Sequence, residues 1–356
     1  MIIYIHLFAI SIICFIINLT IVKTRKMHIH ITGDTDIGPQ KIHTTKIPRI
    51  GGIAIYITLV VALIIFNFIS HDHKDFVINY LSSIVIISLP AISIGLAEDL
   101  YKDISILGRF LTSIFVGILA YFYDVNLSDT HIKIIDEFLY SYNFMPLLIV
   151  IFFAGSINSL NLIDGVNGLA GLTSIVILIT LYLVAIENND HDKYYFTLLI
   201  IGTILGFLLI NWFTGSIFLG DSGAYLLGTI LAFVTCKILY DNNLSIFNIL
   251  TLFSYPIWEI LNSIIRRIYN NKRIIIADNK HLHSLVYILV ANIFKFDKPL
   301  LKNSLTTIFL IPFIIAGPTV TLFLYKESQL LVFSFVIICV FSTFVYAHLC
   351  NRLKLG

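Results

Sequence analysis

Apolar runs about as long as a bilayer is thick recur from one end of this 356-residue chain to the other, and nothing else in the sequence limits the fold so strongly. A spanning helix needs roughly 20 mostly apolar residues. Eleven stretches qualify, near 2–22, 50–70, 77–97, 104–123, 145–160, 169–186, 194–210, 222–238, 246–265, 304–325 and 329–349. With 58% hydrophobic and 12% charged residues, the chain has more apolar surface than one water-soluble core can hide. The expectation is an all-α polytopic integral membrane protein with about 10–11 transmembrane helices, residues 1–356 forming a single transmembrane domain. The first run has no basic segment before it and no small-residue cleavage site after it, and Lys23, Arg25 and Lys26 follow, so it is expected to remain as the first span.

Where the charges fall matters more than their sum, which is only +2 and gives no reason to expect a nucleic-acid partner. Segments 23–49, 98–109, 266–302 and 350–356 hold 18 of the 23 Lys and Arg residues, and the alternate loops hold only Lys74, Lys133, Lys193, Lys237 and Lys326. Basic loops stay on the cytoplasmic side. The N-terminus is therefore expected outside and the C-terminus inside, with the polar loops cytoplasmic. Cys14, Cys236, Cys339 and Cys350 are scattered without metal-ligand spacing and read as small core residues.

Five polar clusters fall on the cytoplasmic ends of spans. Asp34 to Gly52 reads DTDIGPQKIHTTKIPRIGG, a basic loop that includes Lys41 and His43. Glu98-Asp99 closes the third span. From Asn158 the chain runs NSLNLIDGVNGLA, where Asn158, Asn161 and Asp164 step by three along one helical face. Such a stripe belongs against a wet cavity or at the interface; the same Asp-Gly and Asn-Gly pairs also suit a plain tight turn. In FLGDSG, Asp221 lies between two glycines, and Ser222 is placed to cap the following span. The last cluster runs from Arg266 to His283 and contains Arg266, Arg267, Lys272, Arg273, Asp278, His281 and His283. It reads as an anion-binding loop more readily than as a His/Asp metal site. Glu259, inside the ninth run, is either a buried ion-pair partner or a functional carboxylate.

Three carboxylates from separate segments, Asp99, Asp164 and Asp221, share one membrane side with basic loops, a set that suits a divalent cation holding phosphate oxygens. Hard oxygen ligands select Mg²⁺, with Mn²⁺ as the alternative. Phosphoryl transfer follows as the reaction type, because its catalysis is mostly positioning and charge neutralisation. No G-x-x-x-x-G-K-[ST] loop is present for ordinary ATP hydrolysis. The alternative from another class is a secondary membrane transporter, since acids within membrane helices also mark ion paths; its usual internal repeat is not evident.

In order, DIGPQKIH with PRIGG, AED, NSLNLIDGVNGLAGL, FLGDSG with LLG, and P-x-x-E followed by RR and ADNKHLH resemble the polyprenyl-phosphate N-acetylhexosamine-1-phosphate transferases. That family is related to the phospho-MurNAc-pentapeptide transferases. The resemblance implies a cytoplasmic active site, Mg²⁺, and transfer of a sugar 1-phosphate from a UDP-sugar to undecaprenyl phosphate with release of UMP. It implies residence in the bacterial cytoplasmic membrane and leaves a homo-oligomer open. By position, Asp221 matches the metal-binding Asp, and Asp99 matches the second carboxylate of an acidic pair that binds or deprotonates the lipid phosphate. Glu98 stands where the family usually has Asp. Asp164, Asn158 and Asn161 match the nucleotide-side motif, His281 and His283 the histidine loop, and Lys41 and His43 the first cytoplasmic loop. Arg267 lies among the basic residues suited to an anionic ligand. D-G-V-N-G and H-L-H point to the surface-polysaccharide branch, which initiates a lipid-linked polysaccharide.

Overall fold

The computed structural model describes residues 2–33, 46–68, 73–269, 280–294 and 299–353. Helices account for almost all of them, as an apolar solvent requires, because a helix satisfies its backbone groups within one segment. In chain order they are α1 (Ile2–Thr32), α2 (Gly51–Phe68), α3 (Lys74–Tyr101), α4 (Ile106–Phe122), α5 (Lys133–Ser141), α6 (Met145–Ile163) and α7 (Leu169–Glu187). There follow α8 (His191–Thr214), α9 (Gly220–Asp241), α10 (Asn248–Leu252), α11 (Ser254–Tyr269), α12 (Leu282–Phe294), α13 (Pro299–Leu324) and α14 (Ser328–Arg352). Among the described residues nine helices are long and apolar enough to cross a membrane, and α4 is a shorter apolar one. The chain is an all-α, multi-pass membrane protein.

The ninth expected span, 246–265, is not one helix. It breaks at Phe253 into α10 and α11. Pro256 supplies the reason, since it has no N–H for the Leu252 carbonyl one turn earlier. Across the break Thr251 Oγ1 and Thr321 Oγ1 of α13 hydrogen-bond at 2.7 Å, giving the polar groups local partners. A further difference is α5, in a stretch with no expected span. It has no buried residue and exposes Ile134, Phe138 and Tyr140, the pattern of a helix lying in a membrane interface.

Helix α9 is the centre of the bundle, with 94% of its apolar window buried against 17% for the peripheral α14. It packs on α2, α3, α6 and α7. Small residues let the backbones meet at one end: a Cβ on Gly52 of α2 would come within 2.2 Å of Gly223 N, and one on Gly95 of α3 within 2.5 Å of Ser222 N. The loop before α9 is pinned to the segment before α2 by Phe218 N–H to Pro48 C=O (2.8 Å) and Gly51 N–H to Phe218 C=O (2.9 Å). These contacts bring Arg49, Asp99 and Asp221 together.

Candidate functional site

Ser222 was expected to cap α9, and the structure assigns that work to another helix. Asp99, at the end of α3 and only 2% exposed, accepts the Asp221 N–H at 2.9 Å, the Ser222 N–H at 3.0 Å and the Ser222 hydroxyl at 2.7 Å. A carboxylate on the first amides of a helix satisfies orphan donors and opposes the positive end of the helix dipole. The approach requires a bare backbone at Gly220, where φ is +76° and a Cβ would lie 2.6 Å from Asp99 Oδ2. Asp99 is thus spent on holding Asp221 in place.

Asp221 keeps its carboxylate at the surface of this arrangement, 14% exposed, between two guanidinium groups. Arg49 Nη2 is 3.3 Å from Oδ1, and Arg109 Nη1 of α4 is 3.1 Å from Oδ2. Arg49 Nε also lies 3.8 Å from Asp99, and Arg109 lies 3.5 Å from Glu98 Oε1. The other Glu98 oxygen accepts the Ile104 N–H at 3.0 Å. Neither arginine was singled out from the sequence. Arg49 was hidden in PRIGG and Arg109 was counted only as loop charge, although both complete the site.

Asp164 leaves the helical stripe that was expected to carry it: it is the C-cap of α6 and opens a turn through Gly168. No described residue donates to its carboxylate. Burial pushes its pKa up to about 7, with Arg49 opposing and the charges of Asp221 and Asp99 adding to the rise. Of the two Asn residues on the same helix, Asn158 donates to Ser113 Oγ (3.0 Å) and to Ala154 C=O (2.7 Å), committing its N–H groups to the α4–α6 contact. Asn161 is half-buried one turn before Asp164.

The histidine segment reaches the same turn. Glu259 of α11, fully buried, accepts the Leu282 N–H at 3.0 Å and stands 3.3 Å from His281 Nδ1, so it acts as a buried partner that orients this segment. The rings of His281 and His283 stack with centroids 5.4 Å apart and planes within 6°. His283 packs on Gly165, where a Cβ would lie 2.1 Å from its Nε2. Burial lowers the His283 pKa to about 4, and its Nδ1 has no partner among the described residues. Arg267 is half-buried on α11. Lys41 and His43, and Asp278, Lys272 and Arg273 with them, lie outside the described residues.

Among Arg49, Arg109, Glu98, Asp99, Asp164 and Asp221, two guanidinium groups face four carboxylates, a formal excess of two negative charges. The raised pKa of Asp164 reduces that excess, and a cation entering with anionic groups would offset the rest. Among the described residues no three His, Cys, Asp or Glu side chains form a metal cage of their own. Asp164, to whose carboxylate no described residue donates, and Asp221 offer hard oxygens of the kind a divalent cation takes together with water and substrate oxygens.

The bundle gathers carboxylates and arginines at one end of its central helix, a charged centre suited to phosphate groups, and the sequence comparisons point the same way. Residues 81–239 match the model of the family described as Glycosyl transferase family 4. The chain is 28% identical over 293 residues to the probable undecaprenyl-phosphate N-acetylglucosaminyl 1-phosphate transferase of Bacillus subtilis, covering 78% of each. It is 25% identical over 251 residues to the undecaprenyl-phosphate alpha-N-acetylglucosaminyl 1-phosphate transferase of Thermotoga maritima, covering 68% of this chain and 69% of that one. Against a phospho-N-acetylmuramoyl-pentapeptide-transferase of Clostridium botulinum it is 28% identical over 206 residues, 55% of this chain and 61% of that enzyme. The match to the family model is confined to residues 81–239. That segment contains Asp99, Arg109, Asp164 and Asp221, whereas Arg49, Glu259 and the two histidines lie outside it.

Proposed function

We propose that this protein transfers an N-acetylhexosamine 1-phosphate from a UDP-sugar to undecaprenyl phosphate, releasing UMP and starting a lipid-linked surface polysaccharide. The observation that carries the reading is the pairing of Asp221 with Arg49 and Arg109 beside Asp164, a charge set built for phosphate groups. An oxygen of the lipid phosphate attacks the sugar-bearing phosphorus, the bond to the nucleotide's own phosphate breaks, and UMP leaves. Asp221 and Asp164 are the residues that would hold Mg²⁺, which would supply charge neutralisation for the reacting phosphates. Arg109 and Arg49 orient the anionic groups, and Asp99 fixes the backbone that presents Asp221. A phosphate monoester has a second pKa near 6, so the acceptor is already largely dianionic and no strong base is required of the protein.

Two further features support the reading. A groove of about 470 Å³ between α3 and α4, lined by Pro90, Ile94, Ala97, Leu111 and Phe115, runs beside the acidic pair and suits an acceptor with a hydrocarbon chain. His283, whose ring packs on Gly165 and whose Nδ1 has no partner among the described residues, suits the nucleotide side. The excess of Lys and Arg in the loops on that side supports a cytoplasmic placement of the charged face.

The test is UMP release by the purified protein from a panel of UDP-N-acetylhexosamines with undecaprenyl phosphate. Release that needs the lipid, disappears in EDTA and returns with Mg²⁺ is the expected result. A folded protein that releases no UMP from any donor overturns the reading. Gly165→Ala gives a finer check: a methyl group driven into His283 costs about 1–3 kcal/mol of overpacking. The KM for the UDP-sugar is expected to rise about tenfold, the equivalent of 1.4 kcal/mol, with the KM for the lipid unchanged.

A further inference from the structure

The turn that carries Asp164 is held by residues far along the chain. Asn303 Oδ1, in the first turns of α13, accepts the Asn167 N–H at 2.5 Å across 136 positions of sequence, and Thr307 Oγ1 donates to the Asn167 carbonyl at 2.7 Å. Asn167, Asn303 and Thr307 are all buried. No described backbone group bonds to either peptide group of Asn167, so these two side chains satisfy what the turn would otherwise leave orphaned.

The same turn is tied to the loop that leads to Asp221. Gly168 N–H donates to Asn211 Oδ1 at 2.8 Å, and Asn211 Nδ2 donates to the Ile217 carbonyl at 2.8 Å, four residues before Asp221. Trp212 closes the frame. Its Nε1 donates to the Ser304 carbonyl at 3.2 Å, the Ser304 hydroxyl donates back to the Trp212 carbonyl at 2.7 Å, and the indole lies on Gly168. At Gly168 φ is +84° and a Cβ would come within 2.5 Å of the indole Cγ, so neither the backbone nor the space accepts a side chain. One buried hydrogen-bonded chain thus runs from α13 through the Asp164 turn to the Asp221 loop.

We propose that Asn303 and Thr307 are positioning residues that set where Asp164 stands relative to Asp221, acting through Asn167, Gly168 and Asn211. The inference rests on the transferase reading for its kinetic consequences and on the geometry alone for its structural ones. Neither residue touches the carboxylate cluster, so their removal acts by misplacement, and a displacement of about 1 Å in a reacting geometry is worth on the order of 10²-fold in rate.

Thr307→Val keeps the shape and removes the donor, while Thr307→Ser keeps the donor. The expected result is a kcat about 10- to 100-fold lower in Thr307→Val, near wild-type kcat in Thr307→Ser, and a KM for undecaprenyl phosphate that moves less than about twofold in both. Asn303→Ala is expected to behave like Thr307→Val, and Asn303→Asp, which keeps the acceptor, to retain more activity. Combining Asn303→Ala with Asn211→Ala should cost about as much as the worse single change, because both break one chain. Equal losses in Thr307→Val and Thr307→Ser, or full additivity with Asn211→Ala, would overturn the proposal. Amide hydrogen exchange reads the coupling without activity: Asn303→Ala should speed exchange in both 165–169 and 216–220, and unchanged protection at 216–220 would also overturn it. A wild-type protein that melts cooperatively yet releases no UMP defeats the transferase reading and leaves the exchange measurement to decide the coupling.

Discussion

Asp221→Asn is expected to lower UMP release by about 10²–10³-fold while the purified protein still melts near the wild-type temperature. The substitution keeps the volume and leaves the Asp221 N–H on Asp99. It removes the one carboxylate that both Arg49 and Arg109 contact, and it turns an amide N–H towards one of them. Each arginine retains an acid, Arg49 through Asp99 and Arg109 through Glu98, so the fold keeps its main charge pairs. On the proposed reading, the chemistry would lose a hard oxygen ligand at the point where phosphate charge is neutralised. UMP assays at saturating and limiting Mg²⁺, alongside thermal unfolding in detergent, check both parts. Activity within a few-fold of wild type would remove Asp221 from the role given to it.

Asp99→Ala should behave differently, losing stability and activity together. Three donors, the Asp221 and Ser222 amides and the Ser222 hydroxyl, lose their acceptor inside the bundle, and Arg49 loses one of the two acids it meets among the described residues. Breaking a buried charged contact from one side costs about 3–5 kcal/mol. The variant is therefore expected to unfold at a markedly lower temperature and to release little UMP even when folded. A stable Asp99→Ala protein with impaired turnover would instead favour direct action of this carboxylate on the lipid phosphate, the role that the family resemblance implied for it.

The two variants separate what the residues announce from what only packing supplies. Hydropathy located the long helices because lipid leaves a spanning segment little choice of structure. It failed at 246–265, where averaging over apolar residues concealed the effect of a single Pro256. The acids were legible for a similar reason: Asp99, Asp164 and Asp221 stand out in apolar surroundings. Their partners were not legible. Arg109 meets Asp221 across 112 positions, and in sequence it is one more positive charge beside a span. Ser222 looked like a helix cap because the acceptor that displaces it belongs to α3. Glu259 reads in sequence as either a buried ion-pair partner or a functional carboxylate, and the fold gives it the Leu282 amide and His281. Asn303 and Thr307 sit at the start of the expected 304–325 span, where polar residues normally need no explanation.

The tie between Asp99 and the first amides of α9 also has a consequence for how the protein is made. Synthesis runs from the N-terminus, so Asp99 and Arg49 are in place long before residues 221 and 222 exist, and Asp164 precedes Asn303 by more than a hundred residues. A nascent chain that has delivered only α1 to α8 holds acids without the helix end they are shaped to receive. The centre can close only after α9 has been inserted between helices already in the bilayer, and its far wall only after α13 has followed. A chain that stops short of α13 therefore lacks part of the frame around Asp164 and Asp221, and on the proposed reading it is not expected to turn over.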